Sequence, residues 1–166
     1  MQAPAALQVH ACAILLGAKA VLIRGPSGSG KSTLALDLLN DPRPFGFARL
    51  VGDDRIDLSA CAGHIVASAP PTIVGLAEMH GAGILRLPSE PLAAVGLVVD
   101  LAVTAQRRLP EPVQYACDVL GLQLPRLVLQ RFDPSATAKI KQALAMIYRG
   151  EMLANGFCAE AEAATA

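Results

Sequence analysis

Gly25-Pro26-Ser27-Gly28-Ser29-Gly30-Lys31-Ser32 is a complete G-x-x-x-x-G-K-S motif, set between a β-prone apolar run over residues 19–24 and a stretch with helical spacing over residues 32–39. In that context it reads as a P-loop. Glycines 25, 28 and 30 let the backbone turn until successive N–H groups converge on phosphate oxygens, and the following helix presents its positive end to the same point. Lys31 then reaches the outer phosphates and Ser32 offers its hydroxyl to Mg²⁺, while Pro26, Ser27 and Ser29 complete the loop. A Gly/Ser-rich turn carrying a chance lysine would need neither the strand nor the helix, so motif and context together predict an α/β domain that binds a nucleotide.

Upstream of the motif, two short β-prone runs, residues 9–16 and 19–24, are separated by Gly17-Ala18 and predict a hairpin from which the loop hangs. Downstream, Leu34, Leu38 and Leu39 recur at helical spacing until Asn40-Asp41-Pro42-Arg43-Pro44 stops the helix, because proline cannot continue it. A loop then runs through Phe47. Residues 48–51 read as a short strand ending in Gly52-Asp53-Asp54, and residues 56–58 and 64–67 as further strands. Glu78-Met79-His80-Gly81-Ala82-Gly83 reads as a flexible, polar-tipped loop ahead of a strand over residues 84–87. Residues 95–103 form the longest β-type apolar run and predict a buried central strand, residues 126–130 another strand, and Ile140, Leu144 and Ile147 a helix over residues 135–148.

A chain of 166 residues with 53% apolar side chains fits one domain over residues 1–157, followed by an Ala/Glu-rich tail over residues 158–166. Only 17% of residues are charged, which leaves apolar surface for subunit contacts and points to a homo-oligomer. Formal net charge is zero, so the electrostatic footprint of a nucleic-acid binder is missing. The first residues lack a basic n-region, and the apolar stretch over residues 11–23 is interrupted by Gly17 and Lys19, so a cytoplasmic protein without a membrane segment is expected. Cys12, Cys61, Cys117 and Cys158 are far apart and lack metal spacing, which predicts reduced, buried thiols.

Phosphoryl transfer asks for metal-holding carboxylates and a group that takes the acceptor's proton. Two positions compete. Asp100 closes the apolar run Val95-Gly96-Leu97-Val98-Val99, the better match to a Walker-B strand on pattern, whereas Asp53 and Asp54 follow the weaker run Arg49-Leu50-Val51. Adjacent acids are also ordinary turn formers, and the local residues leave the choice open.

Four motifs in order, Val9-His10, the Gly25–Ser32 loop, Arg49-Leu50-Val51-Gly52-Asp53-Asp54 and Glu78-Met79-His80-Gly81-Ala82-Gly83, resemble the catalytic domain of bacterial HPr kinase/phosphorylase over residues 9–87. The resemblance implies an α/β P-loop kinase domain with a mainly β core and flanking helices. It implies a hexamer that uses ATP and Mg²⁺ to phosphorylate a serine of HPr, the small carrier protein of the sugar phosphotransferase system. It makes Asp53 the base for the seryl proton, His10 a neighbour that biases the acid pair, Glu78 and Asp54 magnesium ligands with Ser32, and Arg108 a cation for the transferring phosphoryl group.

The chain departs from that pattern in places. Met79-His80 stands where an arginine is expected after Glu78, exchanging a permanently charged fork for a titratable ring. Asp133-Pro134-Ser135-Ala136 replaces a Pro-Gly-Arg-Asn loop associated with dephosphorylation, which removes the basis for expecting the reverse, phosphorylase, reaction. The chain begins just before His10, as the family's short form does, and the segment over residues 40–47 is longer than usual with no role assigned. A small-molecule kinase or a nucleotide-binding regulatory module with little turnover would use the same cradle. A GTPase switch is disfavoured because no Asn/Thr-Lys-x-Asp guanine-reading motif occurs.

Overall fold

A computed structural model of the chain describes residues 6–104 and 115–151. Strand β1 (Ala6–Leu16) turns at Gly17 into β2 (Lys19–Arg24), and β2 runs directly into the phosphate loop and α1 (Lys31–Asn40). There follow β3 (Ala48–Gly52), β4 (Arg55–Cys61), β5 (His64–Ser68), a 3₁₀ turn (Pro71–Ile73), β6 (Leu76–Met79), β7 (Gly83–Arg86), β8 (Leu92–Ala102), β9 (Ala116–Val119), β10 (Leu122–Gln130) and α2 (Ala136–Tyr148).

Two strands of 11 residues, β1 and β8, organise the rest. The first half of β1 pairs with β4 and its second half with β2 and β3, while β8 pairs first with β5 and then with β2 and β10. Because β4 also pairs with β5, strands β1, β4, β5, β8 and β2 close into a ring. Side chains alternate across its wall. Ala11, Ala13, Ala20, Ala67 and Ala93 keep the inside narrow, and Leu22, Ile56, Leu58, Ile65 and Val98 fill it. On the outer face Ile14, Ile23, Leu97 and Val99 meet Leu34 and Leu38 of α1 and Ile140 and Leu144 of α2, so both helices cover one side of the sheet. Each fully buried Leu or Ile contributes about 1.5–3 kcal/mol, which makes this seam the support on which the phosphate loop rests.

The mainly β core with helices packed on it agrees with expectation, but local details differ. Residues 78–83 are not a flexible loop: Glu78 and Met79 belong to β6 and Gly83 to β7, paired as a hairpin. Strand β9 was not legible, and β10 begins four residues before the expected start at Arg126. Pro125 sits where β10 exchanges partners, antiparallel β9 before it and parallel β8 after it, so the missing proline N–H falls at a break in the ladder. The long segment after α1 is tied to α2, with Lys141 Nζ donating to Asp41 Oδ2 at 2.8 Å and Phe45 packed 5.6 Å from the Tyr148 ring. Among the described cysteines only Cys12 is buried; Cys61 is exposed at the end of β4 and Cys117 is half-buried, which corrects the expectation of uniformly buried thiols. No helix among the described residues is long and apolar enough to cross a membrane. Arg108, Cys158 and the tail over residues 158–166 lie outside the described residues.

Candidate functional site

The loop geometry explains its glycines. Gly28 and Gly30 hold φ of 72° and 92°, in the left-handed region where a side chain would cost about 1–2 kcal/mol. A methyl group on Gly25 would lie 2.7 Å from Ser29 Oγ and 3.0 Å from Leu101 Cβ, so the loop is packed tightly on the end of β8. Lys31 is buried and folds back, its Nζ donating to the carbonyls of Gly25 at 2.9 Å and Pro26 at 3.0 Å. The ammonium is thus already held over its own cradle.

Strand β3 delivers the acid pair. Gly52 is required there because a methyl would meet Ala69 Cβ and Ile56 Cδ1 at 2.8 Å each. The chain therefore passes close to the core, and the next carboxylate, Asp53, is buried with only 6% exposure. Its oxygens accept from Ser32 Oγ at 3.0 and 3.2 Å, from the Glu78 backbone N–H at 3.1 Å and from the Cys12 thiol. Three donors offset the cost of burying that charge. Burial, reinforced by the neighbouring Asp53 charge, pushes the Cys12 thiol far above its usual range, which keeps it protonated and donating.

Asp54 faces the other way. Its φ of 71° is unusual for a residue with a side chain, and such strain persists where surrounding contacts fix it. Here the Ala11 N–H donates to its carbonyl at 3.3 Å, and His10 Nδ1 lies 3.0 Å from both that carbonyl and Asp54 Oδ1. Asp54 and His10 form an exposed pair on the rim, while Asp53 points inward at the P-loop serine. Glu78 stands exposed on β6 across a cleft of about 660 Å³ walled by His10, Ser32, Asp53, Asp54, Glu78 and His80. Among the described residues no group of three His, Cys, Asp or Glu side chains is close enough to hold a metal ion alone.

Asp100, the rival acid, is committed elsewhere. Alternation along β8 turns it away from Val99 and Leu101, which pack toward the helices. There Arg24 donates to it twice, at 2.7 and 2.8 Å, and Arg126 once at 2.6 Å. Burial alone would raise its carboxyl pKa, but the Arg24 hydrogen bonds and the charges of Arg24 and Arg126 outweigh that and hold it below the ordinary value. Thus His10, Lys31, Ser32, Asp53, Asp54 and Glu78 share one cleft, and Asp100 is absent from its walls.

In the sequence Cys12 reads only as a reduced, buried thiol. Its signal was the two-residue spacing from His10, which places both on one face of β1. Phe132, 70% exposed beside Gly30, was likewise missed because nothing in the sequence puts the end of β10 against the P-loop.

A family model described as the HPr Serine kinase C-terminal domain matches residues 2–90, more than half of the chain, including His10, Lys31, Ser32, Asp53, Asp54 and Glu78. The chain belongs to the HPr serine kinase family. A relative named HPr kinase/phosphorylase from Clostridium tetani is 37% identical over 81 residues, 49% of this chain and 24% of the relative. One of the same name from Bordetella petrii is 35% identical over 121 residues, 66% of this chain and 38% of the relative. Another, from Geobacillus thermodenitrificans, is 28% identical over 152 residues, 85% of this chain and 48% of the relative. The chain therefore spans between about a quarter and a half of these HPr kinase/phosphorylases. The solved Hpr(Ser) kinase/phosphatase from Coxiella burnetii shares the fold, with a TM-score of 0.73 at 23% identity, covering 87% of this chain and 97% of that one.

Proposed function

We propose that this member of the HPr kinase family is an ATP-dependent protein serine kinase acting on HPr. The observation that carries the reading is the carboxylate of Asp53 at 3.0 Å from the Ser32 hydroxyl, a base held beside the phosphate loop. The triphosphate lies across Gly25–Ser32, and Lys31 exchanges its loop carbonyls for the outer phosphate oxygens. The acceptor's seryl Oγ then bonds to the γ-phosphorus as its proton passes to Asp53. The bond from the γ-phosphorus to the bridging oxygen breaks, and ADP leaves with that electron pair. Lys31, the loop amides and, by resemblance, Arg108 neutralise the charge that develops.

The residues present suit Mg²⁺. Ser32, Glu78 and Asp54 are hard oxygen donors, and because they do not form a closed cage they suit an ion that completes its shell with phosphates and water. Such an ion, when bound, supplies charge neutralisation to the phosphate oxygens. His10 holds Asp54 in place.

The rim favours a protein acceptor over a metabolite, since His10 and Asp54 expose 48% and 62% of their side chains and Glu78 and His80 are exposed as well. A small-molecule kinase would be expected to enclose its acceptor. The Arg-Asn pair tied to the reverse reaction is replaced by Ser135-Ala136 at the start of α2, so forward transfer is the activity proposed. A cytoplasmic homo-oligomer, a hexamer by resemblance, completes the proposal, and sedimentation velocity tests the assembly. The decisive experiment mixes the protein with Mg·ATP and HPr and locates the phosphate by mass spectrometry. Phosphate on an HPr serine, lost in Asp53→Asn, is expected; phosphate on an HPr histidine, or none, refutes the proposal.

A further inference from the structure

We propose that the cavity beside the P-loop, on the α2 side of Phe132, is the purine-base pocket of the bound nucleotide, with Phe132 the ring on which the base stacks. This rests on the phosphate-cradle reading above and adds where the rest of the nucleotide lies.

Strands β2, β8 and β10 run parallel, and their carboxyl ends, at Arg24, Ala102 and Gln130, share one edge of the sheet. Ligands of α/β sheets bind at such an edge. The phosphate loop leaves the end of β2, and a separate cavity of about 290 Å³ opens beyond β8 and β10, between Thr33 and Asp37 of α1, Leu101, Gln130, Phe132 and Thr137 of α2. That volume lies at the small end of ligand pockets, about 300–1,000 Å³, and suits one bicyclic base rather than a macromolecule. Gly30, Thr33 and Phe132 line both this cavity and the catalytic cleft, so the two adjoin at the phosphate loop.

Phe132 is the unusual residue. It is 70% exposed, holds φ of 60°, and sits so close to the loop that a methyl on Gly30 would come within 3.2 Å of its Cε1. Core packing does not ask for an exposed aromatic ring in a left-handed conformation; a stacking platform does. The Arg131 guanidinium lies 5.7 Å from the ring centroid and braces it. Ser29, another residue of the cavity wall, carries the one buried side-chain polar atom among the described residues without a hydrogen-bond partner, its Oγ, which lies against Gly25. The Gln130 amide offers one donor and one acceptor, the pair that complements the N7 and N6 edge of adenine, whereas guanine presents two acceptors there.

The test compares Mg·ATP with Mg·tripolyphosphate, which carries the phosphates without the base, by titration calorimetry on the full chain. Wild type should bind ATP more tightly than tripolyphosphate. Phe132→Ala should weaken ATP by about tenfold, as loss of base–aromatic stacking does, and change tripolyphosphate by less than about twofold. Phe132→Trp should restore ATP binding. Thr137→Trp, which fills the cavity from the half-buried first turn of α2, should also weaken ATP alone. Equal weakening of both ligands by Phe132→Ala, or unchanged ATP binding in both Phe132→Ala and Thr137→Trp, overturns the base pocket while leaving the cradle intact. Wild type binding neither ligand refutes the cradle and the pocket together.

Discussion

Asp53 and Asp100 each follow an apolar run in the sequence, and substituting each should have different consequences. Asp100 bridges Arg24 at 2.7 Å and Arg126 at 2.6 Å with a side chain only 19% exposed, the arginines being 30% and 29% exposed. Breaking a fully buried charge network by removing one partner costs about 3–5 kcal/mol. Partial exposure of the two arginines, which water can then rehydrate, lowers the expectation for Asp100→Ala to about 2–3 kcal/mol. At about 2–4 °C per kcal/mol for a chain of this size, the melting temperature should fall by about 4–12 °C. The effect has a definite pH signature. The folded pKa of Asp100 lies below its unfolded value, so its stabilisation is fully present above about pH 4 and is lost as pH falls through the folded value. The gap in melting temperature between wild type and Asp100→Ala should be constant from about pH 5 to 8 and close below about pH 4. Asp53→Asn keeps the shape and an acceptor for Ser32 but cannot take a proton, so single-turnover transfer from labelled ATP to HPr should drop about 10²–10⁴-fold with a smaller change in melting temperature. Differential scanning fluorimetry and the transfer assay, run well below both melting points, read the two effects separately. Transfer abolished by Asp100→Ala and retained by Asp53→Asn would refute this division of labour.

Lys31→Ala should raise the Kd for Mg·ATP by about 10–100-fold, measured by calorimetry, because one charge-assisted contact to phosphate is lost. Cys12→Val removes a donor from Asp53, so kcat should fall about 2–10-fold with KM unchanged, and Cys12→Ser should recover most of the loss. Maleimide labelling read by mass spectrometry should modify the exposed Cys61 in the native protein and reach the buried Cys12 only on unfolding, since burial keeps that thiol protonated. Gly52→Ala should lower stability by about 1–3 kcal/mol in urea unfolding, because its methyl would meet Ala69 and Ile56 at 2.8 Å.

The phosphate loop, the hairpin that carries it and the helix that follows were legible in the sequence because each is specified by neighbours in the chain. Glycine spacing sets the backbone turn, alternating apolar residues set the strands, and proline ends the helix at residues 42–44. Other features depend on partners distant in sequence. The Glu78 segment reads as a polar loop because β6 and β7 are only 4 residues each, too short for a periodic pattern to show. Strand β9 is equally short, and Pro125 in β10 makes sense only once its two different partners are known.

The same division holds for the site. The residues 25–32 announce a phosphate cradle by themselves, since local backbone geometry does the binding. Which carboxylate serves that cradle was undecidable from pattern, because Asp53 and Asp100 both end apolar runs. It is the closure of β1 against β2, β3 and β4 that brings Asp53 onto Ser32 and Cys12, while β2 and β10 supply the arginines that occupy Asp100. Sequence determines what each segment does with its own hydrogen bonds; only the tertiary fold decides which charges are neighbours, because the energy of a buried carboxylate is set by donors tens of residues away.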